Sequence, residues 1–469
     1  MKLKTRLAHV QTWQDDPGEP PVGRTPIQRQ TPEMGQPPLP VAVAGDMPAE
    51  SGDYPGSAEF RYWVAADAMS RASGFWGPMM PSGSAWNRNV DDTLTAYLDS
   101  GEDLNAFYDG EGVRFFRQTV AGVTVYSGES PDVVCHEVGH AVLDALRPQL
   151  WGVLSAEVGA LHESFGDMSA ILASLSVGAL PDEVLMETQG NPARSSRLSR
   201  LAEQLGWAIR QITPSAVEPD CLRNACNNFF YRDPVTLRPN EPASLLSSEV
   251  HSFSRVFTGA FLEALAGIFS QQPTRDGRAL VEAGHIMGRL LVDALLATPV
   301  VPAMYAQVAA HTLVADLARY GGAYGMALRS AFVHHGILSP SDAVAAAEAA
   351  PSHMAAITGA VPGPGGPLAT VTVPAERYGL TESFAATAPA EQPRFAVAGA
   401  DPAIGSLTPV DPERAAETFV EDLFRQGRVA VADELLTPSA AVVDSTRTRT
   451  HAITRESSGG LVLDRLLFL

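Results

Sequence analysis

The stretch Cys135-His136-Glu137-Val138-Gly139-His140-Ala141-Val142 decides how the rest of the chain is read. Residues four apart share one face of a helix, so His136 and His140 point two imidazoles at one place, with Glu137 beside them. Two neutral nitrogen ligands and an adjacent carboxylate are what a zinc hydrolase needs. A third ligand belongs on a separate element. A second helical pattern, about 158 to 175, offers Glu163, twenty-three residues after His140. Asp167 lies one turn further on the same face, where a carboxylate accepts a hydrogen bond from a ligating imidazole and fixes its tautomer. Ala160, Leu161, Phe165, Ile171 and Leu172 surround these acids, which argues for burial.

Moving outward, Ser130-Pro131-Asp132 carries helix-start signals and Pro148 lies just past the end of the first helix. Upstream, 104–110 reads as a strand ending in a turn, 112–116 as its return strand, and 123–126 as a further strand. A helix is expected from Ala58 to about Ser73, ended by Gly74. Residues 1–56 are rich in Pro, Gly, Gln and Glu and are expected to form a disordered arm. From His251 to about Leu338 the pattern is helical. Residues 339–410 are dominated by Ala, Pro and Gly and read as a linker. Residues 411–469 read as a small α+β module, with helical spacing after Pro412 and a hairpin around Ser458-Gly459-Gly460.

The 469 residues suffice for two or three domains. A formal charge of −20 argues against a nucleic-acid surface. Cys135, Cys221 and Cys226 are too few for a disulfide framework; Cys221 and Cys226 form either one local bridge or two free thiols. The N-terminus lacks the apolar core of a signal peptide, and no run of eighteen apolar residues exists, so neither an export signal nor a membrane span is expected. The expected location is cytoplasmic, or outside the cell by a leaderless route.

Between about Ala58 and Leu338 these motifs, in order, resemble the thermolysin-like metallopeptidases, the gluzincin class. Residues 132–144 resemble that family's first zinc helix, and Gly159 through Asp167 its second. Asn105-Ala106-Phe107-Tyr108-Asp109-Gly110 resembles the edge strand that pairs with the substrate backbone. Leu222-Arg223 resembles the pair in which leucine lines the S1′ pocket and arginine binds a substrate carbonyl. Val133 matches another S1′ position, and Val250-His251 the segment of the histidine that stabilises the oxyanion.

The resemblance implies an α+β fold for 57–338: a shortened strand-containing N-terminal lobe, central zinc helices and an all-helical C-terminal lobe. It implies one zinc on His136, His140 and Glu163, and Asp167 behind a ligand. Glu137 and His251 are then the catalytic residues; Asn105, Ala106, Arg223, Val133 and Leu222 bind substrate. The chain departs from the pattern at four places. Leu154 falls where a tyrosine is common, and His162 stands where asparagine usually precedes the glutamate ligand. Leu246 replaces the acid that usually orients the oxyanion histidine, although Glu249 is close. Ser174 falls where a calcium-binding acid is found, so calcium is not expected at that site.

The expected activity is zinc-dependent endopeptidase cleavage of peptides or proteins, with apolar P1′ residues preferred. The competing readings are a zinc aminopeptidase, for which no amine-binding motif is evident, and a catalytically weak zinc-stabilised scaffold whose C-terminal module binds a partner. An intact Glu137 argues against the scaffold. The other histidines, His285, His311, His334 and His335, are expected in packing or surface roles.

Overall fold

A computed structural model describes residues 9–49, 54–347, 368–389, 411–437 and 448–469, and its elements make an α+β protein, as expected. The described part of the N-terminal segment is ordered, which corrects the expected disordered arm; residues 1–8 and 50–53 lie outside the described residues. Strands β1 (His9–Thr12) and β2 (Ile27–Gln30) pair antiparallel, and β3 (Val41–Val43) joins the main sheet. Trp13 packs edge-on against Phe60 at 5.4 Å. The buried Asp16 carboxylate accepts from Ser130 Oγ at 2.6 Å and from Gln204 N at 2.9 Å. Composition measures what a segment can bury by itself; this one is ordered by partners supplied from distant parts of the chain.

Helix α1 (Ala58–Trp76) starts at Ser57, whose hydroxyl accepts from Phe60 N, and runs through Gly74 rather than stopping there. A helical glycine costs about 1 kcal/mol. Burial of the last turn outweighs it, with Trp76 stacked on Phe165 at 4.7 Å. The main sheet contains β3, β4 (Leu94–Tyr97), β5 (Ala106–Tyr108) and β6 (Gly112–Phe115) in the order β3-β4-β6-β5. Strand β5 pairs antiparallel with β6, Ala106 opposite Phe115 and Tyr108 opposite Val113, so its other side is the sheet's edge. Strands β7 (Arg117–Val120) and β8 (Val123–Tyr126) form a hairpin.

Helix α2 (Pro131–Leu146) begins as its sequence predicts: Pro131 occupies the first turn and Ser130 Oγ accepts from Val133 N. It packs closely against α3 (Ala156–Ser174) because the contact is made of glycine. A Cβ on Gly166 would sit 2.6 Å from the His136 ring, and one on Gly139 2.6 Å from Ser169 Oγ. Next come α4 (Leu180–Glu187), β9 (Arg200–Leu201), α5 (Glu203–Ile212) and β10 (Arg223–Asn224); β9 and β10 pair with Arg223 opposite Leu201. The helical part follows as α6 (Val250–Phe269), α7 (Gly277–Ala297), α8 (Met304–Tyr320), α9 (Gly325–His334) and α10 (Pro340–Ala347). Among the described residues α6 alone is long and apolar enough to cross a membrane, and most of it is buried against α3, α7 and α9.

The C-terminal elements form one five-stranded sheet. Its members are β11 (Ala369–Val373), β12 (Phe384–Ala388), β13 (Val429–Ala430), β14 (His451–Arg455) and β15 (Leu461–Arg465), in the order β11-β12-β15-β14-β13. Helix α11 (Pro412–Arg425) lies against β11 and β12. The expected hairpin is β14–β15. The expected linker is corrected: β11 and β12 fall within 339–410 yet belong to this sheet, while 348–367 and 390–410 lie outside the described residues. The partner that orders β12 is β15, a parallel neighbour far along the chain. Nor does the core stop near Leu338. Leu154 sits in the apolar cluster of the module with Phe419, Val420 and Leu423, its N–H donating to Thr387 O at 2.8 Å, and Phe468 belongs to the main core.

Candidate active site

Helical spacing on α2 sets the His136 and His140 rings 4.8 Å apart, edge to face. The α2–α3 contact then brings Glu163 to both: Oε2 lies 3.3 Å from His136 Nε2, and Oε1 lies 3.7 Å from His140 Nε2. One ligand atom from each of the three lies within 4.8 Å of the others. All three residues are buried, His140 completely. Among the described residues, both His140 nitrogens, Glu163 Oε2 and Glu137 Oε2 make no hydrogen bond. Buried polar atoms are normally paired, and an unpaired one costs about 1–3 kcal/mol. Two imidazoles and a carboxylate converging on one point fit a small dication, and this donor set suits zinc.

His136 Nδ1 lies 3.0 Å from Asp167 Oδ1, which directs the Nδ1 proton to the carboxylate and leaves the Nε2 lone pair facing Glu163. Asp167 also accepts from Arg223, Nη2 to Oδ1 at 2.7 Å and Nε to Oδ2 at 3.1 Å. Burial raises the Asp167 pKa, but the Arg223 and His136 charges outweigh it and hold the carboxyl well below the usual carboxylate range. Burial pushes Glu137 up to about 8.

The acid that orients His251 is Glu249, the N-cap of α6. Its Oε1 lies 2.6 Å from His251 Nδ1, while Oε2 accepts from Ser252 N at 3.0 Å. Burial raises the Glu249 pKa, but His251 and the Ser252 N–H outweigh it and lower it to about 2, so the carboxylate is charged. His251 Nε2 lies 3.2 Å from Glu163 Oε2. Leu246, five residues before His251, packs at the edge of the core instead.

A cleft of about 560 Å³ runs past these groups, lined by Asn105, Ala106, Val133, His136, Glu137, Asp167, Leu222, Arg223, Glu249 and His251. Every site residue expected from the sequence except His140 and Glu163 lies on it. Apolar Leu201, Ala202, Leu205, Ile209 and Val217 widen the wall near Val133 and Leu222. His140 and Glu163 lie deeper, behind the chain segment Leu467-Phe468-Leu469; Glu163 lines a smaller cavity with Phe468 and Leu469.

That segment was not anticipated. Phe468 and Tyr108 exchange backbone hydrogen bonds of 3.0 and 3.1 Å. The Phe468 ring stacks on His162 at 3.8 Å between centroids, and the Leu469 backbone oxygen lies 3.2 Å from His251 Nε2. The signal available in the sequence was the apolar run Leu466-Leu467-Phe468-Leu469, of which Leu467 and Phe468 are buried and Leu466 is exposed.

The remaining positions are accounted for locally. Leu154 does not reach the cleft, and the described residues lining the cleft include no tyrosine. Ser174 Oγ donates to Ile171 O at 2.8 Å. Cys135, Cys221 and Cys226 are free thiols. His285 stacks on Phe75, His311 Nδ1 bonds Gln307 O, and His334 and His335 face Glu263. No protein-family model matches the chain, and no curated protein matches it.

Proposed function

We propose that the chain is a zinc-dependent endopeptidase of thermolysin-like architecture, cleaving on the amino side of apolar residues. One observation carries the reading: the buried ligand atoms of His136, His140 and Glu163 converge to within 4.8 Å, next to a cleft that Glu137 also borders.

Zinc held by His136, His140 and Glu163 would supply Lewis acidity, lowering the pKa of water to about 7 and polarising a carbonyl. The protein groups do the rest. Glu137 takes the proton from water as its oxygen adds to the scissile carbonyl carbon, then delivers it to the amine as the C–N bond breaks. His251, held by Glu249, donates to the developing oxyanion. The outer edge of β5 aligns an extended peptide by strand addition, and Arg223, fixed by Asp167, binds a backbone carbonyl. Val133, Leu222 and the aliphatic wall beside them gain about 25 cal/mol for each Å² of apolar P1′ surface they cover.

The test is zinc content by atomic emission together with hydrolysis of unfolded casein, before and after chelation and zinc restoration. The expected result is about one zinc per chain and chelator-sensitive internal cleavage. Zinc-free protein, or release of single N-terminal residues only, would overturn the reading.

A further inference from the structure

We infer that Leu467–Leu469 is a built-in occupant of the acyl side of the cleft, so the folded chain is held latent by its own C-terminal module. The inference rests on the peptidase reading for its regulatory meaning, though the occupancy itself is geometric. Strand β5 is the free edge of the main sheet, and Phe468 extends that sheet antiparallel. Phe468 N donates to Tyr108 O at 3.0 Å, and Tyr108 N donates to Phe468 O at 3.1 Å. This is how an edge strand takes a peptide: backbone bonds give affinity and side-chain pockets give selectivity.

The side-chain pocket is built too. The Phe468 ring is 2% exposed, lying flat on His162 at 3.8 Å with the Trp151 ring edge-on at 5.4 Å. The next residue puts its backbone oxygen 3.2 Å from His251 Nε2, and His251 Nε2 is 3.2 Å from Glu163 Oε2. The segment therefore follows the course of a substrate's acyl half, up to the carbonyl that would be attacked. It leaves open the far side, where Val133 and Leu222 lie.

The occupant is anchored from behind. Arg465 at the end of β15 donates from Nε to Trp151 O at 3.0 Å, and Trp151 Nε1 donates to Arg465 O at 3.2 Å. Tethering makes the competition intramolecular. A short tether presents its ligand at an effective concentration of about mM, enough to exclude substrates that bind the acyl side more weakly.

The test compares three proteins: the full chain, a chain ending at Arg465, and full-length Phe468→Gly. The first readout is binding of a fluorescently labelled Leu-Leu-Phe-Leu peptide, followed by anisotropy. The shortened chain and Phe468→Gly should bind it, and the full chain should bind it at least about tenfold more weakly. The second readout is casein hydrolysis in zinc, where both variants should show kcat/KM raised about 10–100-fold, mainly through KM. Equal peptide binding by all three proteins, with circular dichroism showing them folded, would overturn the inference. If the shortened chain does not fold, Phe468→Gly decides alone on the same two readouts. Variants that gain peptide binding but cleave nothing would support the occupancy and overturn the peptidase reading instead.

Discussion

Asp167→Asn removes one negative charge from beneath both His136 and Arg223 while keeping the size of the side chain. The parent carboxylate is buried and accepts from three donors: His136 Nδ1 at 3.0 Å, Arg223 Nη2 at 2.7 Å and Arg223 Nε at 3.1 Å. An amide has one accepting oxygen, and its NH₂ must face a donor. Hydrogen bonds to charged groups contribute about 1.5–3 kcal/mol against about 0.5–1.5 for neutral ones. The His136 contact should therefore weaken by about 1–2 kcal/mol, a factor of about 5–30, in line with the roughly 10–100-fold loss of metal affinity seen when such partners are removed. Arg223 loses more. Breaking a buried ion pair costs about 3–5 kcal/mol, and Arg223, with 13% side-chain exposure and Glu163 and Glu249 nearby, belongs at the low end. At about 2–4 °C per kcal/mol for a domain of this size, Tm should fall by about 6–12 °C. Zinc affinity would be measured by competition with a fluorescent chelator, and Tm by circular dichroism. Unchanged zinc affinity with a lowered Tm would mean that Asp167 supports only Arg223. No change in either would refute the assignment of Asp167 as the group that ties the metal site to the substrate arginine.

Four further outcomes follow from the same geometry. Glu137→Gln should retain zinc by atomic emission yet lose about 10²–10⁴ or more in kcat; loss of zinc along with activity would make Glu137 a structural residue. His251→Ala should lower kcat/KM by about 10²–10³, and an effect below about threefold would remove His251 from the oxyanion site. Burial raises Glu157 to about 8 in the folded chain, against the Tyr231 hydroxyl and the Tyr305 N–H that favour its charge. The folded state thus holds a proton the unfolded state has released, and stability should fall as pH rises from about 4.5 to about 8. Thermal melts of Glu157→Gln, which mimics the protonated acid, should lose that slope; parallel pH profiles for the two proteins would contradict it. Cleavage sites mapped by mass spectrometry in a denatured protein mixture should carry Leu, Ile, Val or Phe at P1′. A charged residue there would be desolvated without a partner, so a preference for one would refute the pocket drawn from Val133 and Leu222.

What could be read from the amino acids alone was what neighbouring residues decide together. The 3.6-residue period puts His136 and His140 on one face whatever surrounds them, and Ser130 and Pro131 start that helix by bonds within its own first turn. Glu163 and Asp167 were legible for the same reason, one turn apart on the next helix. Arg223, Leu222 and His251 were found only through the order of motifs, because nothing local to Leu222-Arg223 or Val250-His251 signals a cleft. Glu249 was noted as close to His251 and proves to be its partner, since a helix N-cap two residues away can turn its carboxylate onto the ring.

Tertiary structure decided the rest. The N-terminal segment looks unfoldable by composition, yet Asp16 is held by Ser130 and Gln204, far along the chain. β12, in the stretch read as a linker, is ordered by its parallel partner β15. The apolar run ending the sequence calls for burial by its composition, but that Leu467 and Phe468 are buried while Leu466 stays exposed, and where, depends on long-range contacts. The Trp151–Arg465 bonds and the unpaired edge of β5 direct Phe468 onto His162 and Leu469 toward His251. Helical periodicity needs only consecutive residues, whereas the filling of a cleft by a distant segment depends on which surfaces the folded chain leaves unpaired, a quantity that no window of sequence contains.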